Sequence, residues 1–430
     1  LIARLSISKF ALLALLCGAM QTLVAAEKRT PLFHYDFNPD PATEAALIDL
    51  AKAWRADLDD TGIHPFLSYW GDFLANPVGG ASPTASWMQL LVAGTRIDLE
   101  PTTGWTGGSL TVSVTDAAGS NLSNQVGNVF TISQAYVMNT FALYDVFLTQ
   151  RLLEDRLEIT LGRFSAGQFF ATLPAMGQVV SGAVNGNPTS LFLNAPFQST
   201  ASASWAARTK FLPTRETYIE VGAFQATPRI GNPAYHGADF SIRRDNGLLI
   251  MAEMGWTPTF SLNSGRDLKG VYTLGGYYAN NPTDTFSGGT TRNVFGFYAL
   301  GQQMIWRQAS HPNNNLSLWG GITLSPQDEL APMPVMAFGG LIWQGLIPNR
   351  ENDSLLLSTY LGGFSTPYAN AQAEAGNGRP TMETVFEISY LIQINKHLQI
   401  QPDLQWILQP GGTGDIPNAL VIGFQVGVTF

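Results

Sequence analysis

Three charged residues at alternate positions, Arg96, Asp98 and Glu100, open the question of function. An extended chain points successive side chains to opposite faces. These three therefore share one face of a strand read over 87–100. Glu220 and Glu253 fall in the middle of strand-like runs at 217–224 and 250–256, Arg208 in the middle of 201–212, and Arg163 at the end of 157–164. Guanidinium and carboxylate groups are planar arrays of donors and acceptors, the chemistry that recognises hydroxylated solutes such as sugars. Opposed across a narrow passage, they also set a transverse field that orders water and replaces a solute's hydration. The plain alternative for each residue is an ion pair within a wall, touching no solute. Taken as a set, they are read as lining a constriction.

Covalent chemistry has no comparable support. The five histidines, His34, His64, His236, His311 and His397, lack the spacing of metal ligands. No Gly-x-Ser-x-Gly elbow and no phosphate loop occur. The stretch Gly104-Trp105-Thr106-Gly107-Gly108 lacks the lysine that a phosphate loop uses. The chain is read as no enzyme, with no cofactor and no metal.

The last strand shows what must position the charged residues. From Leu420 to Phe430, one set of alternate positions holds Leu420, Ile422, Phe424, Val426, Val428 and Phe430, and the other holds Val421, Gly423, Gln425, Gly427 and Thr429. One face is apolar and the other small or polar. In a soluble sandwich the polar face meets water. In an outer-membrane barrel the apolar face meets lipid and the polar face lines a wet lumen. A terminal aromatic directly after such a strand favours the barrel.

Composition agrees. Hydrophobic residues make up 45% and charged residues 13%, where soluble domains carry about 25% charged. No second long apolar run exists, so a helical membrane bundle is excluded. The first residues carry Arg4 and Lys9 before an apolar run, Phe10 to Met20, and Val24-Ala25-Ala26 before Glu27. That layout is a secretory signal peptide, assigned to 1–26. The one cysteine, Cys17, lies within it, which removes disulfides and thiolate metal sites from the mature chain. The formal charge of −9 becomes more negative once Arg4 and Lys9 are cleaved, and nucleic acid is excluded as a partner.

Residues 41–60 carry Leu47, Leu50, Trp54 and Leu58 on one stripe, the pattern of a short periplasmic helix in a segment assigned to 27–62. From Ile63 onward the breaks alternate long and short. The long ones are 75–86, 116–129, 165–200, 227–247, 280–292, 325–334, 365–380 and 410–417. The short ones are 101–107, 151–156, 213–216, 258–267, 308–315, 344–353 and 394–396. This predicts an all-β, antiparallel transmembrane barrel of sixteen strands over 63–430, with tight turns on one rim and loops on the other. The longest break, 165–200, contains Phe169, Phe170, Phe192 and Phe197. It is too apolar for a solvated loop, and is expected either to fold inward and narrow the pore or to pack on the outer rim.

Particular motifs then carry a resemblance. Gln401-Pro402-Asp403-Leu404-Gln405-Trp406-Ile407, Pro410-Gly411-Gly412 and Ile416 to Gly423 are similar to the carbohydrate-selective outer-membrane porins of the OprB family. Ile97-Asp98-Leu99-Glu100 before Gly104-Trp105, Leu161-Gly162-Arg163, Asn76 with Gly79-Gly80, and Tyr272 to Tyr278 fit the same pattern. Gln425 stands near where the family usually has an arginine. The resemblance implies a monomeric barrel in the bacterial outer membrane, surrounded by lipid and lipopolysaccharide, passing glucose-type monosaccharides by diffusion. The competing readings are a general small-solute porin without sugar selectivity and an outer-membrane enzyme or adhesin.

Overall fold

The computed structural model describes residues 58–135, 138–227, 229, 231–243, 246–262 and 266–430. Residues 1–26, read as a signal peptide, and most of the helix expected over 41–60 lie outside these residues. Sixteen strands form the barrel: β1 Ile63–Val78, β2 Thr84–Asp98, β3 Gly108–Gly119, β4 Thr140–Leu152, β5 Leu157–Phe164, β6 Ser204–Phe211, β7 Thr217–Gln225, β8 Leu248–Trp256, β9 Arg266–Ala279, β10 Val294–Arg307, β11 Asn315–Leu324, β12 Val335–Gln344, β13 Ser354–Gly363, β14 Met382–Gln393, β15 Leu398–Leu408 and β16 Ala419–Thr429. Each pairs antiparallel with its sequence neighbours, and β16 closes the barrel on β1 from Ser68↔Thr429 to Val78↔Leu420. Closure leaves no unpaired edge, which a strand in hydrocarbon requires.

The alternation read from sequence is realised as two faces. Along β8, Leu249, Met251, Glu253 and Gly255 are buried, while Leu248, Ile250, Met254 and Trp256 are exposed on the outer wall. In β15, Gln401, Asp403 and Gln405 point inward, and Leu404 and Trp406 point out. In β16 the same holds for Gln425 against Ile422 and Phe424. An aromatic band marks the outer face, including Phe73 beside Phe424 and Phe386 beside Trp406.

All sixteen strands fall where the breaks place them, with one shift. β3 runs on to Gly119, and 120–135 is a loop with one helical turn, Ser123–Val126, rather than the start of a strand at 130. Phe130 and Ile132 alternate as a strand would, but they and Ala135 are buried inside the barrel. An apolar period of two is equally satisfied by an extended segment packed on a lumen wall. Two further departures are small. Glu100 lies past the end of β2, in the helical turn Leu99–Thr103. The 257–265 connection carries a four-residue strand, Thr259–Leu262, paired with the start of β9.

Candidate functional site

Two loops enter the lumen, and side chains of the opposite wall hold them there. The longer runs from Ser165 to Ala203. Its first turn packs Phe169 and Phe170 against Phe164 and Phe224, edge to face at 5.4 to 6.0 Å. From there it crosses the barrel. Asp145 on β4 accepts from Gln168 Nε2 at 2.8 Å, and Glu253 on β8 accepts from the Ala171 amide at 2.9 Å. The Gln302 side-chain Oε1 on β10 accepts from the Ala175 amide at 2.9 Å. Gln401 on β15 donates to the Gln178 carbonyl at 2.7 Å. Glu387 on β14 accepts from the amides of Val180 at 2.7 Å and Ser181 at 3.3 Å. On the return limb, Ser190 meets Thr323 of β11 at 2.6 Å, and Asn194 donates to the Met333 carbonyl at 2.7 Å.

The loop 120–135 is seated in the same way. Glu383 on β14 accepts from the amides of Val129 at 2.8 Å and Phe130 at 2.7 Å, and from that of Gly411 at 2.6 Å. Gln405 donates to the Ile132 carbonyl at 2.8 Å, and Ser133 donates to Asp72, which Gln425 also holds at 2.8 Å. A non-regular backbone inside a barrel leaves amides unpaired, and a buried amide without a partner is costly. Lumen carboxylates and amides supply what strand partners would otherwise supply.

Two glycines make this possible for Glu253. Gly255 lies beside Tyr218, and an added Cβ would sit 2.0 Å from that ring; at Gly275 it would sit 2.3 Å from Tyr298. Both tyrosines therefore lie flat on the wall and donate to Glu253, Tyr218 at 2.6 Å and Tyr298 at 2.8 Å.

A row of charges crosses the lumen face of β4 to β8 in register: Arg151↔Glu158, Glu158↔Lys210, Lys210↔Glu220 and Glu220↔Glu253. Arg208 lies at its centre, buried. Its guanidinium donates to Glu220 and, at 2.6 Å, to Glu158. Its Cζ stands 4.1 Å from the centre of the Phe169 ring, a cation–π contact. Lys210 reaches Glu220 at 3.7 Å and sits 4.1 Å from the Tyr218 ring centre. Arg151 pairs with Glu158 at 3.3 Å. The buried members are saturated by one another, whereas Lys210 and Arg151 keep 30% and 49% of their side chains exposed. Phe169 and Tyr218 beside them are half-buried.

Arg208, Glu220 and Phe169 are thus brought together, with Glu253 beside them as a loop anchor. The other sequence candidates lie elsewhere. Arg96 and Asp98 share the lumen parity at the short-turn end of β2, where Arg96 Nε is 3.4 Å from Asp98 and His64 bridges Asp59 at 2.8 Å and Asp98 at 3.0 Å. Glu100 accepts from Thr106 at 3.3 Å in the adjoining turn. Phe192 and Phe197 stack edge to face at 5.2 Å on the return limb.

Arg163 is on the outward parity of β5, paired with Val146 and Trp205. β5 stops at Phe164, so the top of β4 lacks a strand partner there, and the 231–243 loop fills the gap. Leu143 donates to the His236 carbonyl at 2.9 Å. Arg163 donates to the carbonyls of Gly237 and Ala203 and stacks 4.6 Å from Phe240. In the same loop, the Ser241 hydroxyl and amide hold the Asp239 carboxyl below its usual range.

Sequence reasoning missed Asp72, Asp145, Lys210, Tyr218, Tyr298, Glu383 and Glu387. A signal was present for several: Lys210 is two residues from Arg208, and Glu383 and Glu387 share the parity of the lumen. Among the described residues, no group of three His, Cys, Asp or Glu side chains could hold a metal ion.

A family model described as "Carbohydrate-selective porin, OprB family" matches residues 83–430. Porin B of Pseudomonas aeruginosa is 26% identical, with 87% of this chain and 89% of that one covered. A putative porin, QuiX of Acinetobacter baylyi, is 21% identical over 79% of this chain and 82% of its own. The solved high-pH structure of Pseudomonas putida OprB superposes with a TM-score of 0.80 at 22% identity, covering 88% of this chain and 97% of that one. The closed sixteen-strand wall, the inward loops and the match over most of the chain agree: this protein belongs to the OprB family of carbohydrate-selective outer-membrane porins.

Proposed function

We propose that the Lys210–Tyr218–Phe169 face of the charged row is where sugars make contact in passing. The observation that carries this is the part-exposed Lys210 lying over the half-buried Tyr218 ring, with Phe169 close by under Arg208, beside a loop fixed across the lumen. A pyranose has hydroxyls around its rim and apolar C–H faces. Lys210 and Arg151 donate to the rim, while the exposed edges of Phe169 and Tyr218 give its C–H groups an apolar contact. Arg208, Glu220 and Glu158 hold these groups in place and touch the solute little. Because the contacts are few and exchange readily with water, the sugar is held weakly and leaves toward the periplasm, as conduction requires.

Passage needs no energy source, no bound metal and no covalent step. The protein acts as a diffusion channel for glucose-type monosaccharides, exported by the 1–26 signal and working as a monomer in lipid. Arg163 and the rim pair Arg96–Asp98 are assigned no sugar contact. Liposome swelling tests the assignment. Entry of glucose through the wild type should exceed that of a charged solute of equal size, and Lys210→Met with Tyr218→Leu should abolish the preference while swelling persists. A preference untouched by that double variant would remove this face from the path.

A further inference from the structure

The outer wall carries a recess that solute passage does not use. On the outward face of β6 and β7, Ala207 stands directly opposite Ala223, with Leu161 on one side and Ile250 on the other. Two methyl groups therefore floor a strip of wall flanked by bulky aliphatic side chains. At the long-loop end the strip runs under the 239–243 segment. Trp205 Nε1 donates to the Phe240 carbonyl at 2.9 Å, and Gln225 Nε2 donates to the Ser241 carbonyl at 3.2 Å. Those two bonds pin the segment to the wall. The next two residues, Ile242 and Arg243, overhang the strip. The result is a groove of about 540 Å³, lined by Trp205, Ala207, Ala223, Leu248, Ile242 and Arg243 among others.

We propose that this groove seats one acyl chain of an outer-leaflet lipid, with the lipid's phosphate against Arg243. The groove opens on the lipid-facing side of the barrel, where an apolar slot is filled by hydrocarbon rather than water. Ile242 is 74% exposed, the highest of the large apolar side chains among the described residues, and it lines this slot. An acyl chain seated in the slot packs against that exposed apolar side chain. Arg243 is exposed and has no ion pair among the described residues. It sits at the long-loop end, the outer-leaflet side of the wall, where lipid phosphates lie. A guanidinium matches a phosphate with paired donors. The slot is narrow and overhung, which suits a single chain rather than the flat face of a second barrel.

Native mass spectrometry of the folded barrel in detergent tests the assignment. The probes are diphosphoryl lipid A, as the phosphorylated acyl lipid, and an uncharged diacylglycerol. The wild type should retain one lipid A. Ala223→Trp, which fills the floor, should weaken retention of both lipids by about tenfold or more. Arg243→Gln should weaken lipid A by about tenfold and leave the diacylglycerol unchanged. Arg243 lies on an exposed loop, so this variant keeps the test valid should Ala223→Trp fail to fold. Heat-modified mobility on a gel reports folding of both. A wild type that retains no lipid A, or variants that bind as it does, would overturn the proposal. Equal loss of both lipids in Arg243→Gln would overturn the phosphate contact.

Discussion

Replacing Glu387 with alanine should loosen the constriction without opening the barrel wall. The Glu387 carboxylate is buried on β14 and accepts from the amides of Val180 and Ser181 and from the Tyr360 hydroxyl. A hydrogen bond to a charged group contributes about 1.5–3 kcal/mol, and a buried donor left without a partner costs about 1–3 kcal/mol. Two amides and one hydroxyl lose their acceptor together. The effects overlap, so the seat of the loop is expected to weaken by about 3–6 kcal/mol rather than by the full sum. The wall's own ladder is untouched, since the β13–β14 and β14–β15 pairings run through the backbone. Six other anchors remain on the longer loop, at Asp145, Glu253, Gln302 and Gln401 and, on the return limb, at Thr323 and Met333. The loop should therefore move at its crossing point and stay attached at both limbs. Single-channel recording reads this directly: mean conductance should rise, open-channel noise should increase, and block by sugar should weaken. Glu387→Gln keeps one acceptor oxygen and should fall between. Unchanged conductance and unchanged noise in a correctly folded Glu387→Ala would refute the reasoning that this carboxylate holds the loop.

Other consequences follow from the same geometry. Arg208→Met removes the shared partner of two carboxylates and should destabilise the barrel by about 3–5 kcal/mol, as breaking a buried ion pair does. The double variant Arg208→Met, Glu220→Gln should recover part of that in denaturant unfolding. Gly255→Ala places a methyl on the Tyr218 ring, at 2.0 Å, and should release the Tyr218–Glu253 bond. Tyrosine fluorescence and a weakened sugar block should report that release. Arg163→Ala should leave sugar block unchanged and speed proteolysis within 231–243, because its carbonyl contacts tie that loop over the end of β5.

The sequence exposes the wall more readily than the lumen, for a physical reason. A strand in lipid must alternate, so Ile250, Met254 and Trp256 against Glu253 and Gly255 announce both faces of β8. Fold and membrane setting follow from such repeats. The charged centre was partly legible, since Arg208, Glu220 and Glu253 each interrupt an apolar pattern. Their roles were not, because parity places a carboxylate in the lumen without saying what it binds. Glu253 serves the backbone of a loop far along the chain, and Glu387 does the same for residues some two hundred positions earlier. Arg163 misled for the opposite reason: a charge near a strand end reads as lumen, yet a folded loop can cover it on the outside. The inward turn of 120–135 was hidden because Phe130 and Ile132, at alternate positions, mimic the start of a strand.

Planar-bilayer recording of the refolded barrel, titrated with glucose, tests the central claim most directly. A conductance that falls saturably with sugar, with the apparent affinity reduced in Lys210→Met and Tyr218→Leu, is the expected result. Conductance indifferent to glucose at all concentrations would contradict it, leaving a pore of this architecture that does not select for carbohydrate.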